Sequence, residues 1–347
     1  MLIGITLKIL VIKQTSLGDV LHATAALSAI REAYPSVHLT VLTSTAAQEL
    51  LTHNPNIDEL IIFDRYGVKR DWWRRPGWTF QQFMQTLRAV RLNEYDLVLD
   101  LQGSWKTVIF LWGARARRRL VKGRWWFAER FSQPAVHAIT EMAGVLELAN
   151  IPLGAGKMEV EVAPQVQTAV DRILDGLPGP RSKLAVFSPV TRWPTKNWPI
   201  ANFLSLAERL SDDWFILFTG SVEDRTSLEM STGTLSPEKG NCLAGQLSLP
   251  EFVEIVGRAD LVLTGDSLAM HLAVAKARPL IALFGPTDET RVGPLASGQV
   301  IRANVACKRC YLRHRCHRRC IEKITVQQVL DVIEHGIKEL SAGEAVV

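Results

Sequence analysis

Asp19, Lys196, the pair Ser267 and His271, and a run of cysteines near the C-terminus have the types and spacing to do chemistry. Around residue 265 an apolar stretch, Leu261-Val262-Leu263-Thr264, passes through Gly265-Asp266-Ser267 into the helical pattern Leu268-Ala269-Met270-His271-Leu272-Ala273. The first turn of such a helix offers unpaired N–H groups and a positive dipole end to an anion. Ser267 and His271 are four residues apart, so both project from one helical face near that end. Amides, a hydroxyl and an imidazole together suit a pyrophosphate. The plainer alternative is an Asp/Ser helix cap beside a solvated histidine.

A second strand-to-helix joint lies near the N-terminus. Residues 7–13 form a short apolar strand, Gln14-Thr15-Ser16-Leu17-Gly18-Asp19 a turn, and Val20 to Ala33 an amphipathic helix that ends before Pro35. One glycine and a carboxylate stand where a dinucleotide site needs G-x-G-x-x-G. Asp19 is therefore either a helix cap or a general base.

The cysteines divide into two kinds. Cys242 stands alone and reads as a buried apolar residue. The others follow the spacing Cys307-x2-Cys310-x5-Cys316-x3-Cys320. Cys-x2-Cys is a good tetrahedral half-site, whereas the second spacing is short for a zinc ribbon. The expectation is a structural zinc or iron knuckle, with His314 or His317 as substitute ligands and reduced thiols as the alternative.

These groups need a scaffold. A chain of 347 residues with 47% hydrophobic and 22% charged residues is globular and long enough for two domains. Strand patterns at 37–42, 59–63, 97–101, 184–188, 214–219, 261–264 and 280–284 alternate with helical ones, as two α/β domains with parallel sheets would require. No apolar run approaches the ~20 residues that cross a bilayer, and no signal peptide is recognisable, so the cytoplasm is expected.

The net charge of +5 is unevenly spread. From Arg65 to Arg130 there are fifteen Lys/Arg against five Asp/Glu, and seven of the ten tryptophans fall in the same stretch. The densest run is Arg115-Ala116-Arg117-Arg118-Arg119. Arginine forks bind phosphate bidentately, and tryptophan favours membrane interfaces and sugar faces. Nucleic acid is not expected, because no helix-turn-helix, RNA-binding sheet signature or finger spacing accompanies the charge.

In chain order, Ser16-Leu17-Gly18-Asp19, Lys196-Asn197-Trp198-Pro199, Asp266-Ser267 to His271, and Phe284-Gly285-Pro286-Thr287-Asp288 resemble the motifs of glycosyltransferase family 9. That is the family of the lipopolysaccharide heptosyltransferases, and the resemblance spans roughly residues 7–335. It implies a glycosyltransferase-B fold, in which two Rossmann-like parallel-sheet domains face each other across a cleft. Residues 1–160 would bind the acceptor and residues 161–324 the nucleotide sugar, the latter including the Cys-rich segment 307–320. The C-terminal helix, 325–347, would pack back on the first domain.

The activity implied is inverting transfer of an L,D-heptose from ADP-heptose to the inner core of a lipid A-Kdo type lipopolysaccharide acceptor. It would take place at the inner face of the inner membrane, with no cofactor required for catalysis. Asp19 would be the general base, with Ser16, Gly18, Arg117, Arg118 and Arg119 on the acceptor side. Lys196, Asp224, Gly265, Asp266, Ser267 and His271 would hold the donor, Glu223 being the alternative to Asp224. The same chemistry on another acceptor, or a non-catalytic sugar-nucleotide-binding module, are the competing readings.

Overall fold

The computed structural model describes residues 6–133, 137–178, 182–295, 298–307, 309–317 and 319–340. The chain divides into two compact units, residues 1–161 and 162–347. In the first, the elements run β1 (Lys8–Ile12), α1 (Leu17–Ala33), β2 (His38–Ser44), α2 (Thr45–Leu51), β3 (Glu59–Phe63), α3 (Arg65–Asp71), α4 (Pro76–Val90), β4 (Glu94–Asp100), α5 (Trp105–Gly113), β5 (Arg115–Lys122), β6 (Glu129–Phe131) and α6 (Ala138–Glu147). All six strands are parallel, in the order β3-β2-β1-β4-β5-β6. Helices α1, α2 and α6 cover one face, whose core includes Val20, Leu27, Ala47 and Val145. Helices α3, α4 and α5 cover the other, around Val90, Val108, Phe110 and Leu111.

The second unit repeats the plan with α7 (Pro164–Asp175), β7 (Lys183–Ser188), α8 (Ile200–Arg209), β8 (Trp214–Phe218), α9 (Arg225–Thr232), β9 (Gly240–Cys242), α10 (Leu249–Arg258), β10 (Leu261–Gly265), α11 (Leu268–Ala275), β11 (Leu280–Phe284), α12 (Glu289–Val292), β12 (Gln299–Arg302) and α13 (Val326–Leu340). Its parallel strands are ordered β12-β11-β10-β7-β8-β9, the same winding as the first sheet. Central strands such as β10 and β11 are buried along their whole length, which is why they read as unbroken apolar runs. In each sheet the chain reverses its direction of winding once, between β1 and β4 and between β7 and β10. Open α/β sheets bind ligands at these switch points, beyond the carboxyl ends of the strands.

Helix α13 finds packing within the second unit, and residues 341–347 of the expected C-terminal helix lie outside the described residues. Val329, Leu330 and Ile333 of α13 lie in the second unit's core beside Phe203 and Leu206 of α8, where their apolar stripe finds its partner. The basic run 115–119 is the first part of β5, held by pairing with β4 from Glu94↔Arg115 to Asp100↔Val121.

Candidate active site

At the first switch point, β1 ends in Lys13 and Gln14, and the chain turns through Thr15 into α1. Ser16 caps that helix. Its backbone N–H and its hydroxyl donate to Asp19 Oδ2 at 2.8 and 2.9 Å, and its Oγ accepts from Asp19 N at 3.4 Å, which is a capping box. The cap fixes the half-buried carboxylate at the mouth of the sheet. It also uses only one oxygen, since Oδ1 makes no hydrogen bond among the described residues. A cap and a base are therefore compatible roles in this geometry, because the cap occupies a single carboxylate oxygen. Gly18 is buried in the same first turn.

Beneath Asp19 lies a buried charged layer that motif reading missed. Lys13 is 5% exposed and its Nζ donates to Leu101 O at 3.4 Å. Burial pulls its ammonium below the ordinary lysine range, and the charge of Asp19 is the strongest influence in the other direction. Asp100, at the end of β4, is fully buried. Its Oδ1 accepts from Gln102 N and Gly103 N, both at 2.9 Å, while Oδ2 has no hydrogen-bond partner among the described residues. Burial pushes this carboxyl up to about 6, against the two amides and the charge of Lys13. Gln102 Oε1 in turn accepts from Gln14 N and Thr15 N at 3.0 and 3.1 Å, tying β4's loop to the turn that carries Ser16. The signal for these residues was a charge at the end of an apolar strand. It lacked a spacing rule to set it apart from an ordinary strand terminus.

The arginines expected on the acceptor side do other work. Arg118 forks onto Glu129 at 2.9 and 2.7 Å and also reaches Leu148 O. Arg119 donates to the carbonyls of Leu111, Ala114 and Ala116, closing the end of α5. Arg117 pairs with Asp96 at 3.2 Å. Successive strand residues point to opposite faces, and all three lie toward the start of β5 rather than at its carboxyl end.

The second switch point has a different chemistry. After β7 the chain makes a 3-10 turn, Pro194–Lys196, that aims Lys196 at the end of β10. Its Nζ donates to Asp266 O at 2.7 Å and pairs with Asp266 Oδ2 at 3.1 Å. The same ammonium lies 4.8 Å from the ring centre of Trp193, which Arg313 also approaches at 4.7 Å. Gly265 is required by this approach, because a Cβ there would meet Lys196 O at 2.9 Å. Ser267 is the N-cap residue of α11. Its hydroxyl bonds the Thr264 hydroxyl at 2.8 Å and makes no cap bond, so the first amides of α11 keep their capacity for an anion. His271 is buried on the same helix. At the end of β8, Asp224 Oδ2 accepts from Ser221 N and Oγ at 2.9 and 2.7 Å, repeating the arrangement at Asp19. Glu223 is exposed beside it.

The Cys-rich segment braces this second site through its backbone. Tyr311 N donates to Pro286 O at 3.0 Å, and the Thr195 hydroxyl donates to Leu312 O at 2.5 Å. Arg309 pairs with Asp288 and Glu289 at 2.8 and 2.6 Å. Thiolates suit zinc or iron chemically. Among the described residues no three His, Cys, Asp or Glu side chains converge to hold a metal. Cys310 is exposed and Cys320 buried, the latter with its thiol pushed up by burial and by the nearness of Cys316 and Cys307.

Two parallel sheets of identical winding, each with polar groups at its switch point, are a layout that many enzymes share, and sequence comparison supplies the class. Residues 83–321 match glycosyltransferase family 9 (heptosyltransferase), and the chain belongs to that family. It is 25% identical to lipopolysaccharide heptosyltransferase 3 of Escherichia coli over 296 residues, 82% of this chain and 85% of that protein. Among solved structures, the family 9 glycosyl transferase of Veillonella parvula superposes with a TM-score of 0.81 at 21% identity, over 97% of this chain and 99% of its own. The E. coli heptosyltransferase WaaC with ADP-2-deoxy-2-fluoro heptose gives 0.73 at 20% identity, over 94% and 99%. The protein is a glycosyltransferase of the heptosyltransferase type with the glycosyltransferase-B fold.

Proposed function

We propose that the protein transfers an L,D-heptose from ADP-heptose to a hydroxyl of the lipopolysaccharide inner core, with inversion at the anomeric carbon. The observation that carries this is the division of labour between the two switch points. One presents a carboxylate oxygen with no other bond, and the other presents a lysine beside an uncapped helix start.

In the reaction Asp19 Oδ1 takes the proton of the acceptor hydroxyl as that oxygen attacks the anomeric carbon. The bond from that carbon to the diphosphate breaks on the opposite side, and ADP leaves with the electron pair. A carboxylate is a weak base, so most of the barrier lowering must come from stabilising the departing diphosphate. Lys196 and the first amides of α11 are aimed at that charge, with Ser267 and His271 on the same helical face. Asp266 holds the ammonium in position before the donor binds, and Asp224 sits where it can accept from ribose hydroxyls. Curated relatives named as lipopolysaccharide heptosyltransferases support the acceptor class, and the WaaC structure with an ADP-heptose analogue supports the donor.

The test is incubation of purified protein with ADP-heptose and truncated lipid A-Kdo acceptors. The expected result is equimolar ADP and heptosylated product of inverted anomeric configuration. Absence of ADP release with every core acceptor would remove this reading.

A further inference from the structure

Helix α5 carries two apolar faces where a surface helix needs one. Val108, Phe110 and Leu111 are buried against the sheet. Trp105, Ile109 and Trp112, spaced i, i+4, i+7, form a second stripe on the outer side, where the two tryptophans are 71% and 69% exposed. The same layer carries more of this kind. Trp72 and Trp73, just after α3, are each 63% exposed, and Phe80 on α4 and Trp126 after β5 are exposed too. Exposed aromatics concentrated on one layer exceed what a soluble surface carries by chance and mark an interaction face.

The charge of the layer says what meets it. From Arg65 to Arg91 seven Lys/Arg stand against one acid, Asp71, and that carboxylate is already paired with Arg70 at 3.0 Å. Lys69, Arg74, Arg75, Arg88 and Arg91 are exposed. Arg74 lies over Trp73 at 4.9 Å and Lys106 over Trp105 at 5.4 Å, so cation and ring are presented together. Indole rings belong at the headgroup level of a bilayer, and a basic rim draws them to anionic lipid. No helix among the described residues is long and apolar enough to span a membrane.

We propose that the outer face of α3, α4 and α5, centred on Trp105, Ile109 and Trp112, inserts shallowly into a bilayer surface rich in anionic lipid. The stripe favours this partner over nucleic acid, because Ile109 at its centre has neither a charge for phosphate nor a ring to stack on a base. The surface is independent of the sugar chemistry, so its test needs neither donor nor acceptor.

The experiment is co-sedimentation with vesicles of phosphatidylcholine and phosphatidylglycerol that contain no glycolipid, together with quenching of tryptophan fluorescence by brominated lipid. The wild-type protein should bind these vesicles, bind pure phosphatidylcholine at least ~10-fold more weakly, and be quenched only when bound. Trp105→Ala/Ile109→Ser/Trp112→Ala should reduce partitioning at least ~10-fold while ADP binding and thermal melting stay as in wild type. A second variant, Lys69→Glu/Arg74→Glu, should lose the preference for the anionic vesicles. Wild-type protein that ignores anionic vesicles would overturn the proposal. So would unaltered partitioning of the triple variant, or a triple variant that instead loses self-association or RNA binding.

Discussion

The two switch points are built on the same strand order yet end in opposite chemistry. In the first sheet, β1 and β4 end in Lys13 and Asp100, both buried, below the capped carboxylate of Asp19. In the second, β10 ends in Gly265 and the cation arrives from the loop after β7, paired with a largely buried Asp266. Buried charge under a carboxylate suits proton transfer, and a glycine with a lysine beside a helix start suits an anion, which is the division the proposed function uses. A fold of this kind offers a position for function, and the few residues at the strand ends decide which function it becomes.

Asp19→Asn is the largest expected break in this contrast. The amide keeps an acceptor for Ser16 but not a base, so turnover should fall by ~10²–10⁴-fold while ADP affinity is unchanged. Steady-state kinetics beside calorimetry would separate the two, and near-normal turnover would remove Asp19 from the mechanism. Lys196→Ala should act in reverse on the donor side. It should weaken ADP binding by ~1.5–3 kcal/mol, the usual worth of a hydrogen bond to a charged group. Unchanged ADP affinity in a titration would place the diphosphate elsewhere.

Asp100 sharpens the comparison through pH. Its carboxyl is raised to about 6 in the fold, so its favourable contribution is complete below the unfolded value and is lost as pH rises through about 6. Asp100→Asn does not titrate. Urea melts should therefore show the variant gaining on wild type between pH 4.5 and 7.5, by on the order of 1–3 kcal/mol. A difference that stays flat across that range would mean the buried charge is compensated. The smallest expected effect is at the other strand end. Gly265→Ala forces a contact with Lys196 O, which should cost ~1–2 kcal/mol of stability and weaken ADP binding a few-fold, with no effect on lipid binding.

Local pattern carried much of this into view. The central strands announce themselves as apolar runs because both their faces are buried, and Gly265-Asp266-Ser267 and Ser16 to Asp19 stand out as polar joints after such runs. The strand β5 did not, since its first half is Arg115-Ala116-Arg117-Arg118-Arg119 and its place comes from pairing with β4. Nor did the packing of α13 on α8, because an amphipathic stripe states that it must be covered and not by what. Arg117, Arg118 and Arg119 are one cluster in the sequence, but strand alternation sends Arg118 to the face opposite Arg117 and Arg119, and each finds a different partner.

Residue order by itself determined two α/β units, the two polar joints and a basic stretch rich in tryptophan. Only the tertiary structure decided that Lys13 and Asp100 lie beneath Asp19, that Cys316 and Cys307 come near the buried Cys320, and that α5 keeps an apolar stripe outside. The reason is physical: spacing along a chain fixes which side chains share an element's face, whereas burial and charge neighbours are set by elements brought together from far apart in sequence.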